Sequence, residues 1–127
     1  MVQVLLVDDS DLDAYRAEKI LTKSNISYFR CNDGIEVIPK LESMLEAKNE
    51  ALPDLILLDI VMPEQDGFST LRKIRAHSKY DNIPVIMLSS KQDAVDKFWT
   101  KKNGAFGHIG KPADAKELLT LIKQCTK

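Results

Sequence analysis

The order of apolar patterns predicts an α/β fold in which five strands are each followed by a helix. Three observations carry this expectation. Short apolar runs recur at 2–8, 27–31, 54–59, 84–89 and 106–110. VQVLLVD, DLILLD and PVIMLS are nearly continuous in Val, Ile, Leu and Met, as are strands buried on both faces of a parallel sheet. Helical spacing fills the gaps between them. A β-α order repeated five times predicts a parallel sheet with helices on both faces and right-handed crossovers, a doubly wound (βα)5 sandwich.

The helical segments follow in order. The first is expected at about 11–24, with Tyr15, Ile20 and Leu21 among its apolar positions. The second is expected at about 34–48, on Ile35, Ile38, Leu41 and Leu45. Pro39 lies inside it and removes a backbone donor, so this helix should start late or bend. The third is expected at about 67–77, with Phe68, Leu71 and Ile74, and the fourth at about 92–103. The fifth is expected at about 113–125, with Leu118, Leu119 and Ile122. Asp33-Gly34 and Asn103-Gly104 read as turn or stop signals.

A length of 127 residues predicts a single domain over 1–127. A formal net charge of -1 gives no bulk attraction to nucleic acid or to an anionic membrane. The first apolar run is short and stops at acids, so neither a signal peptide nor membrane insertion is expected. Cys31 and Cys125 lack metal-ligand spacing, and a reduced, cytoplasmic setting is the simpler reading.

Ligands in such folds sit outside the carboxyl ends of the strands. Strand one ends in Asp8 and Asp9, strand three in Asp59, strand four in Ser89 and Ser90, and strand five near Lys111. Adjacent acids at the edge of a low-dielectric interior resist ionisation. Taken alone, Asp8-Asp9 also suits the positive end of a helix dipole. A parallel sheet, however, brings three carboxylates, a hydroxyl and an ammonium to one rim. Mg²⁺ prefers a few carboxylates completed by water and phosphate oxygens, and it offsets their mutual repulsion. Asp59 is then a candidate nucleophile, because carboxylates form aspartyl-phosphate intermediates. Lys111 and Ser89 are placed to meet the phosphoryl oxygens.

LLVDDS, LILLDIVMPEQDG, VIMLSS and GKP, in that order, resemble the receiver domain of two-component response regulators over the whole chain. The resemblance implies strand order 2-1-3-4-5 and Asp59 as phosphoacceptor. It implies that Asp8, Asp9, Asp59 and the Val61 carbonyl hold Mg²⁺, with Ser89 as switch hydroxyl and Lys111 as phosphate-binding cation. It also implies a cis Lys111-Pro112 bond. The segment KQDAVDKFWTKKNGA (91–105) is similar to receivers of chemosensory-type pathways that govern type IV pili and twitching motility.

Two positions depart from the family pattern. An aromatic residue usually stands three before the lysine and turns inward with the switch hydroxyl; here it is His108. His108 therefore reads either as the switch residue or as a plain strand residue. Val61, two after Asp59, cannot orient an attacking water, so slow self-dephosphorylation is expected. His77 is expected to be solvated. Phe98 and Trp99 suit core packing, or exposure on the face of helix four, strand five and helix five, the usual family output surface. Lys97, Lys101 and Lys102 read as a solvated face. The implied function is a stand-alone phosphorylation switch, served by a histidine kinase and acting on a downstream protein. Alternatives are a phosphate sink, an aspartate-nucleophile phosphohydrolase, or a receiver-like adaptor that never takes phosphate.

Overall fold

The computed structural model describes residues 2–47, 51–89 and 101–126. Strands β1 (Gln3–Val7), β2 (Ser27–Cys31), β3 (Leu55–Asp59), β4 (Val85–Ser89) and β5 (Gly107–Gly110) form one parallel sheet in the order β2-β1-β3-β4-β5. Position in this order accounts for composition. In the central strands β3 and β4 every residue is buried, so their sequences are unbroken apolar runs until the final polar residue. The edge strands SYFRC and GHIG are partly exposed and carry polar side chains.

Alternate side chains point to opposite faces of a strand. Val4, Leu6, Leu55, Leu57, Ile86, Leu88 and Ile109 therefore share one face. They pack against helix α1 (Asp11–Lys23) and the C-terminal helix (Ala115–Cys125). Leu5, Val7, Ile56, Leu58, Val85 and Met87 face the other way, onto α2 (Val37–Glu46) and α3 (Gly67–Ala76). Cys31 belongs to the second layer and Cys125 packs against the first; both thiols are free.

Caps set the helix starts. Ser10 accepts from the Asp13 amide to open α1, Asp66 from Ser69 to open α3, and Asp114 from Glu117 to open the C-terminal helix. The buried stripe of α1 is Ala14, Ala17 and Leu21, whereas Tyr15, expected inside, is exposed. Small alanines let this helix lie close to the sheet, and the bulky ring is left outside. The expected second helix begins instead as a 3-10 turn, Gly34–Glu36, and α2 starts late at Val37. Pro39 then falls in the first turn, where its missing N–H has no helical acceptor to lose. The tighter turn shifts the phase, so Val37, Leu41 and Met44 are buried while Ile35 and Leu45 are exposed.

His77, expected to be solvated, is half-buried and stacks on the buried Tyr80 with ring centroids 4.2 Å apart. Gly104 adopts φ 92°, matching the expected stop signal. Lys101 and Lys102 are helical. Most of the expected fourth helix, with Lys97, Phe98 and Trp99, lies outside the described residues, as does Ser90.

Candidate functional site

The two-residue period that sorts the core also builds the site. Asp8 continues the set Val4, Leu6; Asp59 continues Leu55, Leu57; and Lys111 follows Ile109. The ladder runs one residue past two strand ends, since the Asp8 amide donates to the Cys31 carbonyl and the Lys111 amide to the Ser89 carbonyl. Asp8, Asp59 and Lys111 thus emerge on the α1 side of one rim. The Lys111-Pro112 bond is cis.

Lys111 Nζ lies 2.9 Å from Asp8 Oδ2, 3.1 Å from Asp59 Oδ1 and 3.0 Å from Asp13 Oδ2. Asp8 and Asp59 are buried and Asp9 is exposed. Burial first, and the Asp8 charge second, push the Asp59 carboxyl up to about 7, against the pull of Lys111. Burial alone would lower the Lys111 ammonium. The hydrogen bond with Asp8 and the charges of Asp59 and Asp8 outweigh it and hold the ammonium above its ordinary value.

Ligand oxygens of Asp8, Asp9 and Asp59 lie within 4.8 Å of one another. The Ser10 amide donates to Asp8 Oδ1 at 2.9 Å, whereas the buried Asp8 Oδ2 faces the Lys111 ammonium at 2.9 Å. A buried carboxylate oxygen left with only ionic company, beside two further hard oxygen donors, fits a divalent cation such as Mg²⁺. The Val61 side chain is 71% exposed. Ser89 ends β4 and its Oγ is hydrogen-bonded to His108 Nε2 on β5. The His108 ring thus touches the hydroxyl expected to switch.

A family model described as the response regulator receiver domain matches residues 4–123. The chain belongs to this family. Among curated relatives of this receiver, protein PilH of Pseudomonas aeruginosa is 33% identical over 122 residues, spanning 96% of this chain and 95% of PilH. The chemotaxis protein CheY4 of Vibrio cholerae superposes with a TM-score of 0.83 at 28% identity, covering 98% of each chain. The receiver domain of a Pseudomonas aeruginosa sensor histidine kinase superposes with a TM-score of 0.80 at 25% identity, over 98% of this chain and 97% of that one. That structure holds a magnesium ion coordinated in its active-site cleft.

Two residues of this receiver's rim escaped the sequence reading. Asp13, absent from the residues expected at the rim, is a direct partner of Lys111. The available signal was Ser10-x-x-Asp13, a capping spacing that puts Asp13 in the first turn of the helix leaving the rim. Asp33, taken as a turn residue, is buried and accepts from the Ile35, Glu64 and Gln65 amides, each at 3.0 Å. It ties the end of β2 to the loop after Asp59. Gln65 Nε2 adds hydrogen bonds to the Gly34 carbonyl and Thr70 Oγ1. A Cβ on Gly34 would stand 2.0 Å from Thr70 Oγ1, so this junction closes only around glycine. Nothing in the sequence links Asp33 to a loop some thirty residues away.

Proposed function

We propose that this receiver is a stand-alone phosphorylation switch in which Asp59 takes a phosphoryl group from a phosphohistidine of a histidine kinase. The observation that carries the reading is the contact of Lys111 Nζ with both Asp59 Oδ1 and Asp8 Oδ2. An Asp59 oxygen attacks phosphorus, the P–N bond breaks, and the leaving imidazole keeps the electron pair and takes a proton. Lys111 neutralises charge on the transferring oxygens, and the Ser89 hydroxyl donates to one of them. Asp8, Asp9, Asp59 and the Val61 carbonyl would hold Mg²⁺, which when bound would supply further positive charge for the phosphoryl oxygens. When Ser89 turns to the phosphoryl group, its bond with His108 is given up, and through this change His108 serves as the switch residue.

The phosphorylated form shifts a conformational population and changes affinity for a protein partner. The output surface is the family's, on the side of β5 and the C-terminal helix, together with the expected fourth helix that lies mostly outside the described residues. Likeness to PilH and to a chemotaxis protein supports a chemosensory or type IV pilus pathway, including twitching motility. No helix among the described residues is long and apolar enough to cross a membrane; the proposed setting is the cytoplasm. The chain acts as a signalling phosphoacceptor rather than a turnover enzyme. A phosphate sink uses the same chemistry without an output partner. A phosphohydrolase of the aspartate-nucleophile kind places an acid two residues after the nucleophile, where Val61 stands.

Incubation with acetyl phosphate and Mg²⁺, followed by intact-mass measurement, tests the reading. Wild type should gain one phosphoryl mass and Asp59→Asn none; an unchanged wild-type mass would count against the reading and support the adaptor alternative.

A further inference from the structure

Lys111 Nζ has three carboxylate neighbours, and two of them belong to the proposed cation site. Asp8 Oδ2 and Asp59 Oδ1 are oxygens of the cluster that includes Asp9. Asp13 Oδ2, at 3.0 Å, belongs to a residue outside that cluster. An ammonium has three donor hydrogens, and here three acceptors surround it. A divalent ion on Asp8, Asp9 and Asp59 needs lone pairs that the ammonium now engages, and it brings like charge beside the ammonium. Ion and ammonium therefore compete for Asp8 and Asp59, although phosphoryl transfer uses both.

Asp13 is built to anchor the ammonium. It sits in the first turn of α1, its backbone amide bound to the capping Ser10 Oγ at 3.2 Å. Its side chain is 28% exposed, and so less desolvated than a fully buried acid. Arg16 stands 4.0 Å from its other oxygen. We propose that Asp13 is a positioning residue that holds the Lys111 ammonium at the rim while a divalent cation occupies Asp8, Asp9 and Asp59. This inference rests on the cation reading above. The plain alternative is that Asp13 only caps a helix dipole or attracts the cation through its own charge.

A double-mutant cycle separates these possibilities. Mg²⁺ affinity is measured by titration calorimetry for wild type, Asp13→Asn, Lys111→Met and the double variant. In the wild-type background Asp13→Asn should weaken Mg²⁺ binding about two- to fivefold, because the ammonium then bears harder on Asp8 and Asp59. In the Lys111→Met background it should change nothing. Equal weakening in both backgrounds, or none in the first, overturns the inference. Lysine-selective ¹⁵N NMR gives a second readout that survives if Lys111→Met does not fold. On adding Mg²⁺ the Lys111 ammonium signal should persist in wild type and be lost to solvent exchange in Asp13→Asn; equal persistence in both overturns it. A folded wild type that binds no Mg²⁺ overturns the cation reading itself, and this inference with it.

Discussion

Ser89 Oγ and His108 Nε2 are hydrogen-bonded across β4 and β5. The bond joins the proposed switch hydroxyl to the ring at the family's switch position. In histidine-selective NMR, Ser89→Ala should move the His108 ring signals and leave those of His77, which stacks on Tyr80, where they were. Phosphorylating the wild type should move the His108 signals in the same sense. Signals of His108 that ignore both changes would count against a switch through this pair.

Asp59 predicts a stability slope with pH. Its carboxyl is pushed from 3.8 up to about 7 by burial and by Asp8. The folded chain keeps a proton that the unfolded chain releases near pH 4. Stability from this group is full below that unfolded value, falls as pH rises from about 4 to about 7, and is flat above. In metal-free buffer the melting temperature of Asp59→Asn minus that of wild type should therefore be larger at pH 8 than at pH 5. A difference that shrinks as pH rises contradicts the burial argument.

Removing Lys111 leaves Asp8 and Asp59 facing each other without their ammonium. Lys111→Met should cost about 3 kcal/mol in metal-free denaturant unfolding. Added Mg²⁺ should bind more tightly than in wild type and recover part of the loss. Weaker binding would show that the ammonium helps rather than competes at Asp8 and Asp59.

Burial alone would raise the Asp33 carboxyl, but four backbone amides, first that of Ile35, outweigh it and lower the pKa. Asp33→Ala strands amides of Ile35, Glu64 and Gln65 and should cost about 2–4 kcal/mol. Hydrogen exchange should quicken at residues 64 and 65 beyond the global change. Unchanged protection there would mean that the loop holds itself.

The exposed, apolar Val61 offers an attacking water no hydrogen bond. Val61→Asn should lose the Asp59 phosphoryl group several times faster than wild type, followed by the decay of the phosphorylated mass. An equal decay rate removes Val61 from any control of lifetime.

Chain periodicity by itself determined five strands, their apolar continuity and the strand-end positions of Asp8, Asp59 and Ser89. These follow from local rules, in which alternation sets faces and burial on both sides forces unbroken apolar runs. The late start of α2 was readable from Pro39, whereas its buried stripe was not, because a 3-10 turn resets the phase. Tyr15 was misplaced because the choice between a small and a large side chain on α1 depends on how closely the helix meets the sheet.

The rest was decided only when distant segments met. Asp13 and Lys111 are 98 positions apart, and Asp33 reaches amides 31 and 32 positions away. A carboxylate's partner depends on which rim it reaches and what shares its burial, and neither is a property of the local sequence. The tertiary fold turned plain acids and one lysine into a charge cluster whose members set one another's ionisation.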